Sequence, residues 1–230
     1  MRIFGLQKLT LLDYPEKVAC TVFTGGCNLR CPFCHNALLV VCSKDGEAIG
    51  EADFFAFLTK RRGVLDGVSV TGGEPLLQPD LADFLKQIKV FGYQIKLDTN
   101  GCFPERLKAL VAQGLIDYIA MDIKSSPEHY GEATGIANFN FATVRESIDF
   151  LLLNKVDYEF RTTVVKELHS AGILRDTAKA IRGAKRYFLQ KFVDSGELMG
   201  GGLSAFSDDE MKEYLDIVSP YVKTAALRGV

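Results

Sequence analysis

Thr24-Gly25-Gly26-Cys27-Asn28-Leu29-Arg30-Cys31-Pro32-Phe33-Cys34-His35-Asn36 is the stretch on which the reading of this chain turns. It holds three cysteines in the spacing C-x3-C-x2-C. Three thiolates on one short loop can take three corners of a cubane iron–sulfur cluster. All-cysteine ligation fills four corners. A three-cysteine loop therefore leaves one iron with an open position, the feature that separates a catalytic metal site from a structural one. Structural zinc is the competing reading, with His35, Cys42 or Cys20 as a fourth ligand, and a redox dithiol is a third. Zinc sites usually pair two C-x2-C units or join C-x2-C to two spaced histidines. This chain has one C-x2-C and three histidines, His35, His129 and His169. The spacing favours iron and sulfide.

Immediately before the loop, Val18–Thr24 is an apolar run of strand character. Five more follow at Gly67–Thr71, Tyr93–Asp98, Tyr118–Asp122, Tyr158–Val164 and Tyr187–Phe192. Helical periodicity fills the intervals. Leu81, Phe84, Leu85 and Ile88 fall at i, i+3, i+4, i+7, Leu107, Leu110 and Val111 repeat the pattern, and so do Val144, Ile148, Leu151 and Leu152. Ser207 and Glu210 read as a capping box opening the last helix. Strands alternating with helices predict βαβ units and a parallel sheet. Six units make an α/β fold, a partial (βα)6 TIM-like barrel. A flavodoxin-like open sheet shares the same pattern.

In parallel α/β folds, sites form from loops at the C-terminal ends of the strands. The cysteine loop follows the first predicted strand, Gly72-Gly73-Glu74-Pro75 the second, and Asp98-Thr99-Asn100-Gly101 closes the third. Asp122-Ile123-Lys124 closes the fourth, and Arg161 lies in the fifth. Each has an ordinary explanation: a glycine turn, aspartates capping turns, an exposed lysine, an arginine in a structural ion pair. Their convergence on five consecutive strand ends points to a site.

Composition sets the outer limits. The chain has 230 residues, 47% apolar and 24% charged, with net charge −2. That suits one domain, 1–230, with a core about 16–222. No basic surface speaks for nucleic acid. No apolar run approaches the ~18 residues of a membrane helix, and no signal-peptide core is visible. Six cysteines without a secretory signal suit the reducing cytoplasm. Cys20, Cys42 and Cys102 read as small buried hydrophobes.

C-x3-C-x2-C with an aromatic, Phe33, before the last cysteine resembles the signature of the radical S-adenosylmethionine (SAM) superfamily. The resemblance covers nearly the whole chain, with its specific motifs between residues 12 and 124, and it favours the barrel. It implies a [4Fe-4S] cluster on Cys27, Cys31 and Cys34, whose open iron takes the amino and carboxylate groups of SAM. Phe33, His35 and Asn36 then border the cofactor. Gly72-Gly73-Glu74-Pro75 matches a motif whose backbone accepts hydrogen bonds from the SAM ammonium, with Glu74 adding charge or bracing the loop. Lys124 is the expected partner of the SAM carboxylate, and Arg161 contacts SAM or the incoming substrate. By resemblance to pyruvate formate-lyase activating enzymes, Asp98, Thr99, Asp122 and the Ala120 carbonyl hold a monovalent cation beside SAM.

Two further stretches narrow the family. Cys34-His35-Asn36 resembles the activating enzymes of glycyl-radical proteins. Leu12-Asp13-Tyr14-Pro15-Glu16-Lys17-Val18 is similar to the activators of anaerobic ribonucleoside-triphosphate reductases. The implied reaction is reductive cleavage of SAM, with a low-potential donor such as flavodoxin or ferredoxin, to a radical that takes hydrogen from a glycine Cα of the partner protein. The Gln190–Val193 stretch lacks the histidine of pyruvate formate-lyase activating enzymes. The other readings are activation of another glycyl-radical enzyme, a small-molecule radical SAM enzyme of the 7-carboxy-7-deazaguanine synthase type, and a non-enzymatic iron–sulfur electron carrier.

Overall fold

The structure, a computed structural model, describes residues 1–41, 48–194 and 196–230. Eight strands are hydrogen-bonded neighbour to neighbour in chain order. They are β1 Gly5–Thr10, β2 Ala19–Thr24, β3 Gly67–Gly72, β4 Gln94–Thr99, β5 Tyr118–Asp122, β6 Asp157–Val164, β7 Tyr187–Lys191 and β8 Ala225–Arg228. β1 and β2 are antiparallel, while β2–β3–β4 and β6–β7–β8 are parallel. The helices are α1 Ala37–Val40, α2 Glu51–Lys60, α3 Leu81–Val90, α4 Pro104–Ala112, α5 Tyr130–Thr134, α6 Ala142–Leu152, α7 Ala171–Ala180 and α8 Asp208–Val218. The α/β class holds, and the six expected strands lie within one residue of their expected bounds. β1 and β8 are additions, outside the 16–222 core. β1 reads GLQKLT with Gln7 and Lys8 exposed, and β8 has four residues. A polar or very short outer strand leaves no periodic apolar signal.

The chain divides into two compact units. The first comprises Met1–Asn28, Leu38–Thr99 and Glu105–Ile119, and the second Leu29–Ala37, Asn100–Pro104 and Ala120–Val230. In the first unit, β2 and β3 are buried along nearly their whole length, as strands covered on both faces must be. Leu81, Phe84, Leu85 and Ile88 all bury on α3, and Phe84 packs on Phe54 of α2 at 5.4 Å between ring centroids. Parallel register sets Thr24 opposite Gly72, so the C-terminal ends of β2 and β3 lie side by side.

In the second unit, a hydrogen-bond chain ties the strands. Tyr187 Oη donates to Thr162 Oγ1 at 2.7 Å, and Thr162 Oγ1 donates to the Ile123 carbonyl at 2.7 Å. Arg228 holds β8 with two bonds, 2.7 and 2.8 Å, to the buried Glu159 carboxylate. The expected capping box opens α8: Glu210 N–H donates to Ser207 Oγ, and Ser207 N–H donates to Glu210 Oε2. Among the described residues no helix is long and apolar enough to cross a membrane.

Candidate functional site

The first half of the cysteine loop belongs to the first unit, and hydrogen bonds hold its backbone at Thr24, Gly25 and Gly26. Gly25 O accepts from Gln78 Nε2 at 2.8 Å. Gly26 N–H donates to Leu39 O at 2.7 Å, and Gly26 O accepts from Glu74 N–H at 2.8 Å. Gly73 N–H donates to Thr24 O at 2.9 Å. The two glycine pairs thus lie backbone against backbone, and at Gly72 and Gly73 only glycine permits it. A Cβ on Gly73 would stand 2.0 Å from Gly26 O, and one on Gly72, whose φ is +118°, would stand 2.3 Å from Thr24 O. Gly72-Gly73 is therefore the seat of the cysteine loop. A side chain at Gly73 displaces that loop.

Glu74 is fully buried. Its Oε1 accepts from Leu76 N–H at 3.0 Å and from Thr99 Oγ1 at 2.9 Å. A buried carboxylate needs such donors. Glu74 braces the short 3-10 turn Pro75–Leu77 and links the end of β3 to the end of β4. Asp98, one residue earlier on β4, is ion-paired with Lys96.

Cys31 to Asn36 belong to the second unit. Arg30 N–H donates to Thr134 O at 2.8 Å. The left-handed Gly135 lies so close that a Cβ there would meet Arg30 O at 2.4 Å. Gly200 N–H donates to Pro32 O at 2.8 Å, and its missing Cβ makes room for the proline ring, 2.6 Å from the position it would take. Phe33 is buried, with the Lys124 ammonium 6.0 Å from its ring centroid. The His35 ring packs on Phe192 at 5.8 Å, and half-buried Asn36 leads into α1. Burial of the packed face, and then Lys124, hold the His35 pKa below the usual imidazole range, while Asp194 pulls the other way.

Three charged residues gather at the end of β5. Asp122 Oδ2 accepts from Lys124 Nζ at 3.0 Å, and its Oδ1 from Arg161 Nε at 2.9 Å. Burial works against ionising Asp122, but Arg161 and Lys124 outweigh it and hold the carboxyl at about 2. Burial likewise works against the charge on Lys124. Asp122 and, after it, the Cys31 thiol overcome that and keep its pKa above the usual lysine range. The Lys124 backbone is fixed as well. Val165 N–H donates to His169 Nδ1 at 3.0 Å, which assigns the ring proton to Nε2, and Nε2 donates to Lys124 O at 3.0 Å.

Sequence reasoning missed the residues that hold the site together: Gln78, Lys96, Gly135, His169, Phe192 and Gly200. Lys96 carried a signal, a lysine two residues before an aspartate on an otherwise apolar strand. Gly135 and Gly200 carried none beyond being glycines in loops. Among the described residues, Cys20, Cys27, Cys31, Cys34 and Cys102 are outside any disulfide, while Cys42 lies outside the described residues. Cys20 is fully buried and burial pushes its thiol up to about 12, as befits an inert core residue. No three His, Cys, Asp or Glu side chains among the described residues crowd round one point as ligands of a single ion do. Corner ligands of a cubane bind three different irons and need not. The donor set fits a cubane: reduced thiols, a loop pinned in both halves, and a lysine ammonium beside Cys31.

Residues 21–174 match the family model described as the radical SAM superfamily. A Methanocaldococcus jannaschii protein, named as a candidate glycyl-radical enzyme activating enzyme, is 29% identical over 99% of this chain and 96% of its own length. A 7-carboxy-7-deazaguanine synthase of Koribacter versatilis is 34% identical over 58% of this chain and 56% of its own. A pyruvate formate-lyase-activating enzyme of Listeria monocytogenes is 34% identical over 60% of this chain and 59% of its own. The chain thus spans somewhat over half the length of those two relatives. Among solved structures, SuiB of Streptococcus suis bound to S-adenosylmethionine superposes with a TM-score of 0.68 at 16% identity, over 90% of this chain and 49% of that one. That likeness shows the fold.

Proposed function

This chain belongs to the radical SAM superfamily, and we propose that it activates a glycyl-radical protein, an anaerobic ribonucleoside-triphosphate reductase. It is a radical SAM enzyme with a [4Fe-4S] cluster and S-adenosylmethionine as cofactors, so the zinc and electron-carrier readings fall away. The observation that carries the activase reading is the M. jannaschii relative, which matches this chain end to end. An activase needs little beyond the SAM site, because its substrate is another protein. The reductase as partner is supported by the resemblance of Leu12–Val18 and of Cys34-His35-Asn36.

In this reading Cys27, Cys31 and Cys34 hold the cluster. When bound, the cluster supplies the electron that splits SAM. The residues of the chain position and shield. Gly72-Gly73 seats the loop, Glu74 and Thr99 fix the adjoining strand ends, and Lys124, held by Asp122, places a positive charge beside Cys31. Arg161 anchors Asp122. The electron donor is a low-potential flavodoxin or ferredoxin, and the compartment is the cytoplasm.

The test is electron paramagnetic resonance on anaerobic mixtures of this protein, SAM, reductant and the reductase. A protein-borne doublet should form and collapse towards a singlet when the reductase glycine carries deuterium at Cα. A radical on pyruvate formate-lyase alone would move the partner to that enzyme. The K. versatilis similarity favours a second reading, a small-molecule substrate. SAM turnover that consumes a small molecule, with no protein radical, would establish it.

A further inference from the structure

Alternate side chains of a strand share a face. On β6 and β7 of the second unit, Tyr158, Phe160, Thr162, Tyr187 and Leu189 are buried and form the core side. The opposite face is only partly covered. Arg161, Thr163, Phe188 and Gln190 are half-buried there, and so is Arg228 of β8. Register aligns Thr163 with Gln190 and Gln190 with Arg228, one row near the C-terminal ends of three strands. The charges on this face are answered within the protein. Arg228 takes the buried Glu159 carboxylate with two bonds and stacks its guanidinium 3.6 Å from the Phe188 ring centroid. Arg161 takes Asp122. The groups left over in the row are neutral: the Thr163 hydroxyl and the Gln190 amide have no hydrogen-bond partner among the described residues.

Both stand beside residues that support the candidate site, all of them in the second unit. Two residues before Thr163, Arg161 holds Asp122, the partner of Lys124. Two residues after Gln190, Phe192 packs on His35, the neighbour of Cys34. An anion arriving at this row would have to displace Glu159 from Arg228, so the face suits an uncharged occupant. A glycine in a partner protein has no side chain to hold. Whatever positions its Cα must grip the peptide groups that flank it. A peptide group carries one donor and one acceptor, a glutamine amide offers both, and a hydroxyl can serve as either.

We propose that Thr163 and Gln190 bind the substrate backbone, hydrogen-bonding the peptide groups beside the glycine that loses its hydrogen atom. The proposal rests on the activase reading. Backbone recognition ignores side chains, so these two residues hold the glycine segment and do not choose among partners.

The experiment uses the anaerobically reconstituted protein with SAM. The probe is a fluorescent synthetic peptide carrying the glycine segment of the reductase, and its anisotropy gives Kd. Two further peptides replace the N–H on one or the other side of the glycine by an ester oxygen. Wild type should bind at least one ester peptide about tenfold more weakly than the parent. Gln190→Leu and Thr163→Val should bind the parent peptide more weakly, Gln190→Leu by about tenfold. Gln190→Leu should also lose most of the discrimination between parent and ester, the non-additivity of direct partners. SAM affinity, read from spectral perturbation of the cluster, should stay within twofold of wild type in both variants. A wild-type protein that binds all three peptides equally overturns the proposal. So does a folded Gln190→Leu protein with wild-type affinity for the parent peptide, and that result leaves the activase reading standing. A loss of SAM affinity in Gln190→Leu as large as its loss of peptide affinity also overturns it, because the amide then serves the cofactor. If Gln190→Leu fails to fold, the three peptides on wild type decide. A wild-type protein that binds neither this peptide nor the glycine segment of pyruvate formate-lyase refutes the activase reading, and the proposal falls with it.

Discussion

Gly73→Ala adds one methyl group and should disable the cysteine loop. The added Cβ would lie 2.0 Å from Gly26 O and 2.6 Å from Gly26 C. Such contacts do not fall below 3.0 Å in real proteins, so the backbones must part by about 1 Å. Both are main chain and neither can rotate away. Parting them threatens two hydrogen bonds, Gly73 N–H to Thr24 O at 2.9 Å and Glu74 N–H to Gly26 O at 2.8 Å. Each is worth about 1 kcal/mol made, and up to about 3 kcal/mol if a buried partner is left unsatisfied. A loss of roughly 2–6 kcal/mol follows, or about 4–24 °C in Tm for a chain of this size. The control is Gly26→Ala. Gly26 also has a left-handed φ of +82°, but a Cβ there meets nothing within 4 Å, so it bears only the backbone penalty of about 1 kcal/mol. Thermal melts of the apo-proteins, with iron and sulfide analysis after reconstitution, compare the two. Gly73→Ala should lose both stability and cluster content and Gly26→Ala little of either. A Gly73→Ala protein with the melting temperature and iron content of wild type would refute the backbone-contact argument.

The cysteines divide cleanly: Cys27→Ala, Cys31→Ala and Cys34→Ala should each abolish the cluster, whereas Cys20→Ala, Cys42→Ala and Cys102→Ala should keep it, as iron and sulfide analysis will read. Thr99→Val removes a donor from the buried Glu74 carboxylate, and urea unfolding should register a loss of about 2 kcal/mol. Asp122 titrates at about 2 in the folded protein, below its unfolded value, so its stabilisation is complete above about pH 5 and lost as pH falls towards 2. Its side chain is 30% exposed, so the pH-dependent part should be roughly 1–2 kcal/mol. Urea unfolding of Asp122→Asn and wild type at pH 6, 4 and 3 should show the gap between them narrowing on acidification; a constant gap would discard the ion-pair account.

The α/β class was legible because buried strands and amphipathic helices write their period into the sequence. Val18–Thr24 and Leu81–Ile88 are examples, and Ser207 with Glu210 marked a helix start through its own side-chain chemistry. The outer strands escaped for the converse reason: Gln7 and Lys8 on β1 face solvent and break the apolar run. At the site, the residue types were legible and their partners were not. Lys124 pointed to an anion, and the structure sets it on Asp122. Asp98 pointed to a cation, and the structure supplies Lys96. Which charge neutralises which depends on strand face and register, and a linear pattern of charges leaves that open. Gly135 and Gly200 were illegible for a simpler reason, since close approach of two backbones leaves no trace but the absence of a side chain.

The lead-in Leu12–Val18 carries the resemblance to the reductase activators, yet its side chains serve the ends of the strands remote from the cysteine loop. Tyr14 is buried against Gly67, the first residue of β3, where an added Cβ would come within 2.9 Å of its ring. Asp13 Oδ2 accepts from Thr21 Oγ1 at 2.5 Å, and Val18 N–H donates to Asp66 Oδ2 at 2.9 Å, ahead of β3. Cys27, by contrast, lies three residues past the end of β2. In a parallel array the two ends of the strands are different places, and chemistry gathers at the C-terminal one. Asp13, Tyr14 and Val18 set how the first unit begins, so similarity there supports the reductase reading as a shared architecture with its activators and not as a partner contact. Under the activase reading, selection of a partner is expected to fall to the loops that touch the cysteine loop. In the second unit these include the connection from Phe192 to Phe206, far longer than the usual few residues, which touches the cysteine loop through Gly200 on Pro32 and Phe192 on His35. The reductase therefore has to be tested beside other glycyl-radical proteins, and exchange of residues 193–205 between activators, rather than of 12–18, is the change expected to move partner preference.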